Sequence, residues 1–179
     1  MMEGKGAEGW ETVMFEMFYP DRWVDSAYDI DYEELYESGV RGIIFDIDNT
    51  LVPHGAHADK RAVELFERLH RIGFKVVLLS NNKESRVRSF SEEVKFCGYI
   101  YKARKPGRRG YLKAVEMMGC PKQETVFIGD QLFTDVWGAK RSGITTILTG
   151  KIDSREEIQI VLKRRLEAVI LFFFKRSGR

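Results

Sequence analysis

The sequence predicts a three-layer α/β/α fold built on a parallel five-stranded sheet. Three observations lead there. Short apolar, β-branched runs alternate with longer segments whose apolar residues recur at helical spacing, which is the pattern of right-handed βαβ units. The runs are bounded by polar turn residues, as buried strands are. Polar signatures follow them at 46–50, 80–82, 105 and 129–135. In a parallel sheet those strand ends share one edge, the edge where open α/β folds bind ligands.

The bulk composition sets bounds on this reading. A chain of 179 residues with 44% hydrophobic side chains suits one domain that buries a full core without staples. A net charge of +2 is too small to argue for nucleic acid. Cys97 and Cys120 stand apart, so no zinc or redox pair is indicated and a reduced, cytoplasmic protein is expected. No apolar stretch approaches the ~20 residues that span a bilayer. Met1 to Gly9 is polar and Gly-rich, neither signal peptide nor core element, and is expected to be disordered.

Taken in order, residues 1–39 form a tail and an aromatic arm (Trp10, Phe15, Phe18, Tyr19, Trp23, Tyr28, Tyr32, Tyr36) expected to pack on the core. Within it, Asp31 caps a short helix that ends near Gly39. The core proper is expected over 40–150. Gly42-Ile43-Ile44-Phe45 leads a strand into Asp46, and Pro53 to His57 is a loop. Residues 59–72 carry Ala62, Val63, Leu65, Phe66, Leu69 and Ile72 at helical spacing, stopped by Gly73. Phe74 to Leu79 is the second strand, 84–96 a more polar helix, and Tyr99-Ile100-Tyr101 a short third strand. Residues 108–119 form a helix with Tyr111, Leu112, Val115 and Met118 on one face. Thr125 to Ile128 is the fourth strand, Thr134 to Ser142 a short helix, and Thr145 to Leu148 the fifth strand. Residues 151–179 read as a basic amphipathic helix. Its apolar Ile158, Leu162, Leu166, Val169 and Phe173 are expected to pack on the core or a dimer mate in preference to anionic lipid.

The four polar signatures are a set of chemical parts. Asp46 and Asp48 are two like charges whose repulsion a hard divalent cation such as Mg²⁺ would relieve. Asp46, first at the strand end, is the candidate nucleophile, since carboxylates form aspartyl-phosphate intermediates. Asp48 can protonate a leaving oxygen and later activate water, and its backbone carbonyl can bind metal. Ser80, Asn81 and Asn82 offer neutral donors to phosphate oxygens, aided by the amides at the start of the next helix. Lys105 offsets charge on a transferring phosphoryl group. Asp130 and Asp135 complete the metal shell. Phosphoryl transfer needs mainly positioning and charge neutralisation, and this inventory supplies both. His54 and His57 have no acidic or Cys companion in their loop and read as solvent-facing or supporting groups.

Asp46-Ile47-Asp48-Asn49-Thr50 resembles the DxDxT signature of the haloacid dehalogenase (HAD) phosphohydrolase superfamily. Ser80 after an apolar strand resembles its second motif, Lys105-Pro106 its third, and Gly129-Asp130 with Asp135 its acidic fourth. Within the superfamily the chain is similar to subfamily IIIA and to the YqeG-type phosphatases, through DxDNTLV, SNN, KP, GDQLxTD and the arm Pro20-x-x-Trp23-Val24. The resemblance implies a Rossmann-like HAD fold and Mg²⁺ held by Asp46, Asp48, Asp130 and Asp135, with Asp135 serving the metal or Lys105. It implies Asp46 as nucleophile, Asp48 as acid and base, Lys105 as catalytic cation, and Thr50, Ser80 and Asn81 on the substrate side.

Residues 53–79 and 83–104 are already filled by core elements, so no cap domain fits. An uncapped site is expected to admit a bulky phosphomonoester, whether small molecule, lipid or macromolecule, unless an oligomer mate covers it. The YqeG-type group is related to phosphatidylglycerophosphate phosphatases, which makes lipid phosphate hydrolysis at the inner membrane face, with contact through 155–179, the alternative. A phosphate-binding scaffold of negligible turnover is the non-enzyme alternative.

Overall fold

The computed structural model describes residues 16–153. The expectations for the N-terminal tail and for the helix over 155–179 lie outside the described residues. The strands are β1 (Arg22–Val24), β2 (Gly42–Phe45), β3 (Lys75–Leu79), β4 (Gly98–Ile100), β5 (Thr125–Gly129) and β6 (Thr145–Thr149). The helices are α1 (Tyr32–Glu37), α2 (Lys60–Ile72), α3 (Glu84–Val94), α4 (Arg108–Met118) and α5 (Trp137–Arg141). All strand pairs are parallel, in the order β1-β6-β5-β2-β3-β4.

The sheet therefore has six strands, not the five expected. The additional one is β1, three residues of the aromatic arm, with Trp23 in register with Leu148 of β6. A stretch that short carries no legible period; its pairing comes from tertiary contact. Asp21 secures it: its carboxylate accepts from Thr146 N and Thr146 Oγ1, both at 2.8 Å, while Asp21 N donates back to Thr146 Oγ1 at 3.2 Å. Around this edge Tyr19 is buried with Leu132, Val136 and Leu148, and Phe18 meets Phe133 edge-on at 5.2 Å.

Period-two alternation sends side chains to two cores, one on each face. Ile43, Phe45, Val76, Leu78, Val126 and Ile128 join Leu65, Phe66, Leu69, Val87 and Phe90 of α2 and α3. Ile44, Val77, Leu79 and Phe127 join Tyr111, Ala114 and Met118 of α4 and Ala139 of α5. Burial on both faces is why these strands are apolar throughout. Helix α2 begins where the Asp59 carboxylate accepts from Ala62 N at 2.9 Å. It ends at Gly73, whose φ of 110° lies in the left-handed region a C-terminal cap requires.

From central β2 the chain winds outward to β3 and β4, then returns to lay β5 and β6 on the other side. That reversal opens a crevice beyond the carboxyl ends of β2 and its neighbours. Among the described residues nothing is inserted over it: loop and α2 fill 46–74, and α3 fills the passage from β3 to β4.

Removing the Asp21 carboxylate leaves the Thr146 amide without its acceptor. Asp21→Ala is expected to cost about 1–3 kcal/mol in denaturant melts and to raise hydrogen exchange at the Thr146 amide.

Candidate active site

The site grows from the end of β2. Asp46 N donates to Ile128 O at 3.0 Å, which carries the ladder with β5 one residue past the strand. The chain then turns tightly: Asn49 takes φ 62°, its N–H donates to Val52 O at 2.7 Å, and Leu51 N donates to Ile47 O at 2.9 Å. Asparagine tolerates the left-handed region better than most residues. Asp46, Asp48 and Thr50 are all buried by this turn.

Lys105, 7% exposed, reaches in from the segment before α4. Its Nζ lies 2.9 Å from Asp46 Oδ1 and 2.8 Å from Asp135 Oδ1. Its backbone is gripped on both sides by the Asn81 side chain: Lys105 N donates to Asn81 Oδ1 at 2.7 Å and Asn81 Nδ2 donates to Lys105 O at 3.2 Å. The sequence assigns Asn81 to the substrate side; in the fold its amide faces Lys105. Asp135 Oδ2 accepts from Gln131 N at 3.0 Å. Two devices bring it there. Leu132–Val136 is a π-helical turn, where the sequence pattern reads only a helix from Thr134, and such turns are frequent at functional sites. Gly129 leaves room as well, since a Cβ there would lie 2.5 Å from Asp135 Oδ2. Thr50 Oγ1 donates to Asp130 Oδ1 at 3.4 Å.

Asp46, Asp130 and Asp135 each present an oxygen within 4.8 Å of the others'. All three are buried, with one ammonium among them. Three hard oxygen donors with more negative charge than Lys105 neutralises fit a divalent cation. Burial pushes the Asp46 carboxyl up to about 7, against the pull of Lys105 and with help from Asp135 and Asp48. For Lys105 burial works downward, but the carboxylates of Asp135 and Asp46 outweigh it and hold the ammonium above its ordinary range.

Asp48 has different company. Its Oδ1 accepts from Gly55 N at 2.8 Å and from Arg86 Nη2 at 3.1 Å, and its Oδ2 accepts from Asn82 Nδ2. Buried Ser80 accepts from Asn82 N at 3.2 Å through its Oγ. Sequence reasoning misses Arg86, because a cation in a polar helix reads as a solvated face. The one local signal is its place four residues after Asn82. His54 is exposed, and His57 Nδ1 lies 2.6 Å from Glu93 Oε1. Glu93 also accepts from Ala58 N at 2.7 Å and Ser89 Oγ at 3.1 Å. Burial works upward on the Glu93 carboxyl, yet these bonds hold it below its ordinary value.

The sequence model of haloacid dehalogenase-like hydrolases matches residues 55–143. The probable phosphatase YqeG of Bacillus subtilis (strain 168) is 42% identical over 164 residues, which span 91% of this chain and 95% of that protein. The chain belongs to the haloacid dehalogenase-like hydrolases. It is a phosphatase of that superfamily, similar to YqeG over nearly its whole length. The Arabidopsis thaliana chloroplastic/mitochondrial phosphatidylglycerophosphate phosphatase 1 is 30% identical over 161 residues, 83% of this chain and 46% of that protein. In fold, the crystal structure of a Thermotoga maritima putative β-phosphoglucomutase superposes with a TM-score of 0.50 at 14% identity, over 69% of this chain and 91% of that one. Among the described residues of this HAD-like hydrolase no helix is long and apolar enough to cross a membrane.

The raised Asp46 carboxyl makes a signed prediction. A group whose folded pKa lies above its unfolded value contributes stability at low pH and loses it as pH rises through the folded value. In chelator, wild type is expected to lose stability relative to Asp46→Asn as pH goes from about 5 to about 8, read from denaturant melts.

Proposed function

We propose that the chain hydrolyses a phosphomonoester by two displacements at phosphorus, with Asp46 as nucleophile. The observation that carries this reading is Lys105, buried and joined to both Asp46 and Asp135 at the carboxyl edge of the sheet. A carboxylate held beside a fixed ammonium is aimed and electrostatically prepared for a phosphoryl group. In the first displacement an Asp46 oxygen bonds to phosphorus. The ester P–O bond breaks, its electron pair stays on the leaving oxygen, and that oxygen takes a proton from Asp48. In the second, water attacks the phosphorus and gives its proton to Asp48. The bond to Asp46 breaks with its electrons returning to the carboxylate, and inorganic phosphate leaves.

Ser80 and Thr50 face the phosphoryl oxygens, and Asn81 acts through the Lys105 backbone it grips. Asp46, Asp130, the Asp48 carbonyl and Asp135 would hold Mg²⁺, which offsets charge on the phosphoryl oxygens when bound. Asp135 serves chiefly to keep Lys105 in place, since its two oxygens already accept from Lys105 Nζ and Gln131 N. With no cap inserted over the crevice among the described residues, the substrate class is bulky.

A second, narrower reading is a phosphatidylglycerophosphate substrate taken from a membrane surface. It is favoured by the 30% identity to a plant enzyme named for that activity and by the basic, apolar sequence of 155–179.

On an aryl phosphate with Mg²⁺, Asp46→Asn is expected to lose at least about 10³-fold in kcat, and acid quenching of wild type to trap a phosphoprotein. Equal rates in both proteins refute the nucleophile assignment. For the narrower reading, truncation at 154 is expected to abolish co-sedimentation with anionic vesicles and turnover of lipid phosphate while sparing the aryl ester; unchanged lipid turnover removes it.

A further inference from the structure

We propose that Arg86 is a positioning residue for Asp48, so that its loss slows esters with poor leaving groups and spares those with good ones. The inference rests on the reading of Asp48 as proton donor. Arg86 stands in the first turn of α3 with its side chain 19% exposed, and Nη2 donates to the same Asp48 oxygen that Gly55 N holds. With Asn82 on the other oxygen, the carboxyl has donors on both sides and cannot rotate freely.

Two further observations separate this contact from an ordinary surface ion pair. Arg86 Nε is buried and makes no hydrogen bond among the described residues. The guanidinium thus leaves one N–H unsatisfied in the pose that keeps Nη2 on Asp48, a poor arrangement for stability alone. The Arg86 carbon Cζ also rests 5.4 Å from the centre of the Phe90 ring, one turn along α3, which limits its swing. Seven residues beyond Arg86, on the same face of α3, Glu93 takes Ala58 N and His57 Nδ1. Helix α3 therefore braces the 53–58 loop at one end and Asp48 at the other, and that loop supplies Gly55 N. The hydrogen-bond partners of Lys105 and Asp135 come instead from Asn81, Asp46 and Gln131. Arg86 can be changed without touching them.

When the ester bond breaks, the electron pair passes to the leaving oxygen as the Asp48 proton arrives. A basic leaving oxygen needs that proton in the transition state; a weakly basic one leaves without it. A misplaced Asp48 is then felt in proportion to leaving-group basicity, whereas a general loosening of the fold slows all esters alike.

The test measures kcat/KM, which reports the first displacement, for phenyl phosphate and p-nitrophenyl phosphate, two esters of similar shape. Arg86→Ala is expected to lose about tenfold or more on phenyl phosphate and to stay within about threefold on p-nitrophenyl phosphate. Arg86→Lys, which keeps the charge and guards against misfolding of the alanine variant, is expected to show the same split in smaller degree. Equal losses on both esters, or none, in both Arg86 variants overturn the proposal. Asp48→Asn is run beside them. A split in Asp48→Asn with none at Arg86 removes Arg86's role alone, and no split in any variant removes the proton-donor reading with it.

Discussion

The ammonium of Lys105, buried between Asp46 and Asp135, is the interaction on which this site depends. A charge taken out of water survives only if its partners are placed well, and removing one partner of such a group is far costlier than losing a surface pair. Much of the local architecture supplies that placement. Asn81, beyond the end of β3, grips the lysine backbone from both sides. The π turn after β5 and the missing Cβ of Gly129 let Asp135 fold back to reach it. The Phe127 ring centre lies 5.5 Å from Nζ, within cation–π range. Three separate strand ends must be in register for the contact to exist, and the parallel sheet provides that.

Two carboxylates only two residues apart are thereby given opposite settings. Asp46 stands with two more carboxylates and one cation, where burial raises its proton affinity and a divalent cation fits. Asp48 is surrounded by N–H donors from a loop, an amide side chain and a guanidinium.

Among the described residues the crevice above is left open by the same economy of connections. Loop and helix fill the passage from β2 to β3, and a short turn with α3 the passage from β3 to β4. The segment beyond β6 starts beside the site: Ile152 N donates to Asn49 O at 3.2 Å and Asp153 N to Asn49 Oδ1 at 3.3 Å. Asn49 thus holds both the turn that follows Asp46 and the root of the basic C-terminal sequence.

Residue pattern alone specifies β2 to β6, because apolar runs buried on both faces leave a strong signal, and α2 over 59–72 with its Gly73 stop, because caps and a 3.6-residue period are local. It also determined that residues 46–50, 80–82, 105 and 129–135 share one edge, since parallel strands all end on the same side. What it did not show are the contacts that depend on which strand lies beside which. The edge strand β1 exists because Asp21 meets Thr146, 125 residues away. Asn81 turns to Lys105 and Arg86 to Asp48 across gaps of 24 and 38 residues. Residue type and local period carry no record of such partners. Only the order of strands in the folded sheet, and the helices laid across it, decide which polar groups come within hydrogen-bonding distance.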